Sequence, residues 1–186
     1  MAFTDYFKKK QKVPEFDPIK DLTLSKLKVG YLLDYDLKTW EVTGHNVYDW
    51  DSEFSEEWEL TSGNDLIFLE MEKDDSSVLW CLSSKAKLSD LDRSIIANIK
   101  REEDPPAEII YKTKKYYLVQ SSAGYFLKDG KGDGQELITW DYEDEDEEHF
   151  ITITQWGEDE LELTQGFFVK EYEFTNILPR KATENE

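Results

Sequence analysis

The chain has 186 residues, of which 39% are hydrophobic and 14% aromatic, enough to bury a core in one domain or two small ones. Its 42 acidic and 22 basic side chains give a formal net charge of -20, which argues against direct nucleic-acid binding because phosphates require a basic surface. Cys81 is the only cysteine, so no intramolecular disulfide can form and a reducing, cytoplasmic location is expected.

Residues 1–20 form a basic and aromatic segment that differs from everything after it. Residues 1–12 carry four Lys and one Asp, a net charge of +3, which leaves -23 for the remainder. Such a segment can form a short helix on an anionic membrane surface, or it can be a frayed tail. The predicted membrane- or partner-docking residues are Phe3, Phe7, Lys8, Lys9, Lys10 and Lys12.

Residues 21–179 are predicted to form a duplicated β domain. Two segments match at an offset of 77 positions, pairing Trp40 with Tyr117 and Tyr48 with Tyr125. A match of this kind records a repeated supersecondary unit. The first repeat spans about residues 27–84 and the second about 108–178, each with the short turns of an antiparallel meander. Residues 180–186 are predicted to be a polar tail.

One connecting helix is predicted between the repeats, over about residues 89–101. Ser89 with Asp92 opens a run of apolar residues at helical spacing, and Pro105 forbids its continuation. The predicted fold is therefore all-β or mainly β. It comprises two related antiparallel meanders, packed as a sandwich or as two small partly open barrels, with one connecting helix.

No recognisable catalytic or metal-binding motif appears in the sequence. Cys81 with His45 or His149 lacks the surroundings of a nucleophile pair, and a free Cys in a strand is often a small buried hydrophobe. The turn at residues 129–134 resembles a calcium loop, but Lys131 stands at a ligand position. We therefore predict no enzyme, no metal and no cofactor.

An aromatic and acidic stretch is the candidate partner-binding site. The predicted residues are Tyr48, Trp50, Glu53, Glu56 and Glu57. Aromatic rings beside carboxylates suit a cationic protein or a small amine. Two other interpretations stay open: the tryptophans fill the core, or they are sugar-stacking platforms beside the paired carboxylates of a hydrolase.

Several separated segments resemble one known family. They are Leu27-Lys28-Val29-Gly30, Trp40-Glu41-Val42-Thr43-Gly44, Glu56-Glu57-Trp58-Glu59-Leu60, Gly124-Tyr125-Phe126, Trp140-Asp141-Tyr142-Glu143 and the closing segment from Glu171 to Pro179. Over residues 22–179 the chain resembles an uncharacterised bacterial family, domain of unknown function 4178. That family has no assigned active site, so the resemblance carries over no catalytic residue. It implies a bacterial intracellular protein whose relatives are often encoded near phage-shock-protein-A-like membrane-stress proteins or near polyamine-synthesis enzymes.

The expected function is a non-catalytic acidic binding or adaptor module in a bacterial membrane-stress or envelope pathway. A protein partner is expected, together with an anionic membrane surface contacted through the N-terminus, so the location is cytoplasmic or membrane-peripheral. One alternative is a carboxylate-based hydrolase, which would show a deep cleft with two facing carboxylates of strongly shifted pKa. Another is an acidic inhibitor or immunity-type protein that sequesters a basic partner.

Overall fold

The computed structural model describes residues 22–73, 77–102, 105–158 and 160–179. The predicted docking segment at residues 1–20 and the polar tail at 180–186 lie outside them. The strands are β1 (Leu32–Tyr35), β2 (Lys38–Trp50), β3 (Glu53–Ser62), β4 (Asp65–Lys73), β5 (Val78–Ala86), β6 (Glu108–Tyr111), β7 (Lys114–Leu127), β8 (Gln135–Asp144), β9 (His149–Trp156), β10 (Glu160–Val169) and β11 (Thr175–Leu178). The described α-helix is α1 (Arg93–Glu102), and short 3-10 turns cover Leu24–Lys26, Leu88–Asp90, Lys128–Gly130 and Glu171–Glu173.

Eight of the strands close into a barrel. All described strands belong to one antiparallel sheet in the order β11-β1-β2-β3-β4-β5-β10-β9-β8-β7-β6. A further pairing joins residues 47–49 of β2 to residues 125–127 of β7 and closes the ring β2-β3-β4-β5-β10-β9-β8-β7. An eight-stranded barrel has an interior just wide enough to be filled by side chains or to hold one small ligand.

The mainly-β class, the antiparallel meanders and the connecting helix are confirmed. The sequence left the packing of the two meanders open between a sandwich and two partly open barrels. In the structure they meet edge to edge in one barrel, because β5 pairs with β10 and β2 pairs with β7.

The two halves begin with the same hairpin. Asp36 and Leu37 connect β1 to β2 with positive φ at both residues, and Lys112 and Thr113 do the same between β6 and β7, 76 positions later. Two positive φ values in a two-residue turn suit the twist of the flanking strands. The hairpins therefore correspond at an offset one residue shorter than the sequence match of 77.

A β-bulge early in each long strand changes the face that its side chains occupy. The bulge in β2 lies between Val42 and Gly44, and the bulge in β7 lies between Leu118 and Gln120. Because a bulge inserts one extra residue, side chains before and after it at even spacing point to opposite faces. The even-numbered residues before each bulge, such as Trp40 and Tyr116, therefore point to the outside of the barrel. The even-numbered residues after it, such as Tyr48 and Phe126, point to the interior.

The first apolar core lies outside the barrel, against β3, β4 and β5. Leu24, Leu33 and Phe174, from the first 3-10 turn, β1 and the segment before β11, cover it. The barrel residues beneath them are Trp40, Val42, Trp58, Leu60, Leu69, Met71, Trp80, Leu82 and Val169. Fully burying one such side chain contributes about 1.5–3 kcal/mol, so this outer layer supplies much of the stability.

The second apolar core lies outside β8, β9 and β10 beneath α1 and β6. Ile95 and Ile99 of α1 pack there, against the buried residues Ile109, Tyr111, Tyr116, Trp140, Tyr142, Ile151, Ile153 and Leu163. The helix begins later than predicted because Asp92 caps it: Asp92 Oδ1 accepts from Ser94 N at 2.8 Å and from Ser94 Oγ at 2.6 Å. In the described part of the chain, no helix is both long and apolar enough to cross a membrane.

Candidate functional site

The barrel interior contains a cavity of about 610 Å³ that is partly open to solvent. Side chains of a strand alternate between two faces, so strands that direct apolar residues outward direct the residues between them inward. All eight barrel strands contribute to the lining. A volume of this size falls in the range of small-molecule sites, roughly 300–1,000 Å³.

Acidic side chains dominate the charged lining of the cavity. The carboxylates are Glu57, Glu59, Glu70, Glu72, Asp141, Glu143, Glu160 and Glu162. The lysines in the lining are Lys85 and Lys128. Lys85 Nζ lies 2.5 Å from Glu162 Oε2, so this lysine is already engaged by one of the carboxylates. The excess of acidic groups makes the interior electronegative wherever those groups are ionised.

Aromatic rings form much of the remaining wall. They are Tyr48, Trp50, Phe68, Phe126, Phe150, Trp156 and Phe168. Tyr48 stacks on Trp50 with ring centroids 5.5 Å apart and an interplanar angle of 4°. Phe126 meets Trp156 edge to face at 5.4 Å. Ring faces attract cations through their quadrupole, so the aromatic part and the acidic part of the wall both favour a positively charged ligand.

Glu57 of β3 is the most enclosed carboxylate of the lining, with 8% of its surface exposed. Asn46 Nδ2 donates to its Oε1 at 3.0 Å, and Tyr48 Oη donates to its Oε2 at 3.0 Å. Burial raises the pKa of Glu57, although these two hydrogen bonds act in the opposite direction. Burial and the charge of Glu57 in turn raise the pKa of Tyr48, which therefore stays a neutral donor.

Glu70 of β4 lies directly opposite Glu57 in the β3–β4 pairing. Ser55 Oγ donates to Glu70 Oε1 at 2.8 Å, and the same Ser55 oxygen accepts from Trp50 Nε1 at 3.2 Å. Burial and the neighbouring charge of Glu57 raise the pKa of Glu70 to about 8. At pH 7 Glu70 is therefore mostly protonated, because two opposed carboxylates in a low-dielectric wall resist ionising together.

Carboxylates on distant strands of the ring influence one another across the cavity. Burial and the charge of Asp141 on β8 raise the pKa of Glu72 on β4. Burial also raises the pKa of Asp141, against the hydrogen bond from Thr152 Oγ1 at 2.7 Å. The charges of Asp141 on β8 and Glu162 on β10 thus act on carboxylates of β4 and β3 from other parts of the ring.

The cysteine and the two histidines occupy opposite faces of the sheet. Cys81 faces the interior, where it is paired with Glu70, and burial raises the pKa of its thiol. His45 stacks on Trp58 outside the barrel at 5.0 Å. His149 also belongs to the outer face, where its Nδ1 lies 3.0 Å from Asp144 Oδ2. The arrangement therefore does not assemble a Cys-His nucleophile.

The structure brings together three of the five predicted partner-binding residues. Tyr48, Trp50 and Glu57 all line the cavity. Glu56 faces outward instead, with its Oε2 2.9 Å from His45 Nε2 and its Oε1 3.6 Å from Lys73 Nζ. Glu53 is exposed beside the β2–β3 turn.

The lining residues that sequence reasoning missed lie mainly on β4, β8 and β10. The missed acidic residues include Glu70, Glu72, Asp141, Glu143 and Glu162. A signal for them exists in β4, where Phe68, Glu70 and Glu72 alternate with apolar Leu69 and Met71. That alternation marks one apolar and one mixed acidic-aromatic face.

The carboxylates surround the cavity rather than converge on one point. Across residues 22–73, 77–102, 105–158 and 160–179, no group of three or more His, Cys, Asp or Glu side chains is placed to hold a metal ion.

Fold and cavity together define an all-β barrel protein with two apolar layers outside and an acidic, aromatic-walled interior. The chain belongs to the family described as domain of unknown function 4178, whose pattern matches residues 28–171. The resemblance noted from the sequence is thereby confirmed. An uncharacterized protein of Aquifex aeolicus (strain VF5) is 27% identical over 183 residues, which cover 97% of this chain and 100% of that relative. No solved structure matches the chain.

Proposed function

We propose that the protein is a non-catalytic binding module whose barrel interior holds a small organic cation. The observation that carries this proposal is the cavity of about 610 Å³ in which an excess of carboxylates and seven aromatic rings share one lining. A cation would relieve the repulsion among the carboxylates, and its carbon skeleton would pack on the rings. The expected ligand class is an organic amine.

Binding of a panel of primary amines with four to twelve carbon atoms tests the proposal. We expect at least one amine to bind with a dissociation constant below about 1 mM and to raise the melting temperature, because a ligand of the folded state stabilises it by mass action. Alcohols of the same carbon skeleton control for apolar binding. Glu57→Gln should weaken amine binding, and Glu53→Gln, outside the cavity, should not. Absence of binding across the panel, or equal binding of the alcohols, would contradict the proposal.

A carboxylate-based hydrolase is the second candidate, favoured by the facing carboxylates and by the raised pKa of Glu70. Glycoside hydrolysis by a carboxylate pair needs one group that stays ionised beside one that is protonated. The Glu57–Glu70 pair has this division, with Glu70 as the protonated member, which is why the hydrolase is the second candidate. Turnover of 4-nitrophenyl glycosides that Glu70→Gln abolishes would establish the hydrolase instead.

We also propose that this module acts in the bacterial cytoplasm, through a protein partner in a membrane-stress or envelope pathway. The net charge of -20 supports a basic protein partner, which this protein would sequester in the manner of an inhibitor or immunity-type protein. Binding to such a partner should fall steeply as the salt concentration rises. The four lysines of residues 8–12 support contact with anionic lipid. Flotation with phosphatidylserine vesicles, but not phosphatidylcholine vesicles, that is lost when these lysines become Gln would support the membrane contact.

A further inference from the structure

We infer that the Glu57–Glu70 pair is the recognition point for the ligand's nitrogen, which must be a protonated primary or secondary amine, and that seating it releases one proton. This inference rests on the proposed function, since it requires a cation inside the barrel. It identifies the residues that bind the nitrogen of the ligand, the cations that bind poorly, and the dependence of binding on pH. The pair lies beside the stacked rings of Tyr48 and Trp50, which would contact the adjoining carbon atoms.

The placement of the two carboxylates carries the argument. Glu57 and Glu70 occupy directly opposed positions on neighbouring antiparallel strands, where Cβ atoms are about 4.5–5.5 Å apart. Asn46 and Tyr48 donate to Glu57, and Ser55 donates to Glu70, so both carboxyl groups are held in position by wall residues. A carboxylate has about four acceptor sites, so each keeps capacity for one more donor. An ammonium group between them can donate to both.

The charged groups around the pair are almost all acidic. Glu59 of β3, Glu72 of β4, Asp141 of β8 and Glu162 of β10 share the cavity with it, and the neutral thiol of Cys81 faces Glu70 from β5. The cavity lysines are Lys85, held by Glu162, and Lys128. No salt bridge to Glu57 or Glu70 occurs within the described residues. In the free protein one of the two carboxyl groups therefore carries a proton, and this group is Glu70, whose pKa is raised by burial and by the charge of Glu57.

The proton balance follows from these surroundings. The free pair is one carboxylate and one carboxylic acid, and the free amine carries one positive charge. In the complex both carboxyl groups are ionised and accept N–H bonds from the ammonium, while the displaced proton goes to solvent. A quaternary ammonium has no N–H to donate, so it cannot hydrogen-bond to the two carboxylates and offset the loss of the proton. The site should therefore prefer amines with N–H donors over fully methylated ones.

Calorimetric titration of phenethylamine into the full-length protein, in phosphate and in Tris at pH 7, tests the inference. Because the two buffers have different ionisation enthalpies, the difference in heat reports the number of protons released. We expect about one proton, and affinity that rises at most about tenfold per pH unit from pH 6 toward pH 8 while the amine stays protonated. The trimethylammonium analogue should bind at least about tenfold more weakly.

Matched variants separate this inference from the proposed function. Glu70→Gln should weaken phenethylamine binding, because it removes one of the two carboxylates, and the remaining binding should show neither proton release nor the pH dependence, whereas Glu53→Gln should keep wild-type affinity and both properties. If wild-type protein binds with no proton release, or binds the trimethyl analogue equally well, the recognition role of the pair is refuted while cation binding stands. If wild-type protein binds no amine of the panel, both are refuted.

Discussion

Glu70→Gln removes a titrating group from the barrel interior while keeping nearly the same size and an oxygen that can accept from Ser55. In the folded protein, burial and the charge of Glu57 raise the pKa of Glu70 to about 8 from an ordinary value of 4.5. The unfolded chain has the ordinary value. Glu70 therefore binds its proton more tightly in the folded state than in the unfolded state, and folding becomes coupled to pH.

The sign and size of the effect follow directly. A raised pKa contributes stability that is fully present below about pH 4.5 and is lost as pH rises through about 8. At 1.36 kcal/mol per pKa unit the full difference corresponds to about 5 kcal/mol. Most of this change falls between pH 5 and pH 9, so relative to wild type Glu70→Gln should gain about 4 kcal/mol in free energy of unfolding across that range.

Urea unfolding followed by tryptophan fluorescence at pH 5, 7 and 9 measures this difference. Glu53→Gln is the matched control, because it makes the same chemical change at a residue that is exposed beside the β2–β3 turn and lies outside the cavity. Its stability should follow wild type at each pH. If Glu70→Gln also runs parallel to wild type across the three values, the enclosed and electronegative character assigned to the cavity is wrong.

Three further substitutions test the barrel and its surroundings. Gly124→Ala would place a Cβ 2.7 Å from Trp50 Cε3 at the β2–β7 closure and should cost about 2 kcal/mol in urea unfolding; unchanged stability would contradict the tight approach. Trp58→Phe should cost about 2–3 kcal/mol in the same assay, because Trp58 is 1% exposed. A loss below about 0.5 kcal/mol, which is the size expected of a surface substitution, would argue against its position in the core. Burial alone would raise the pKa of Asp144, but hydrogen bonds, first that from Lys114, hold it at about 2. Asp144→Asn should therefore destabilise by about 1 kcal/mol at pH 7, and this deficit should shrink as pH falls from 3.8 toward 2; a pH-independent deficit would exclude the charge as its cause.

The fold class was predictable because its signals are local. Alternating side chains and short turns identify the strands, and proline after the helix marks its end. The start of α1 was misplaced because Ser89 and Asp92 both have N-cap chemistry, and only Asp92 accepts from a residue two positions ahead. The barrel closure has no local signature at all, since residues 47–49 and 125–127 are far apart in sequence.

The site was predictable only in part, for reasons of strand geometry. Grouping Glu56 with Glu57 overlooks that adjacent residues of a strand point to opposite faces, one toward His45 outside and the other into the cavity. The offset of 77 also differs by one from the hairpin correspondence, and a one-residue slip exchanges the two faces. Which face is apolar core was hidden as well, because the covering layers lie outside the barrel.

Because the apolar layers lie outside the ring, each barrel strand carries stabilising core residues on its outer face and cavity residues on its inner face. In β4, Leu69 and Met71 contribute to the outer core, while Glu70 and Glu72 between them line the cavity. A substitution on the inner face leaves the outer packing untouched, so the chemistry of the cavity can diverge between relatives without loss of the scaffold. Substitutions in the cavity and substitutions in the outer layers therefore have separate consequences, the first for the chemistry of the interior and the second for the stability of the fold.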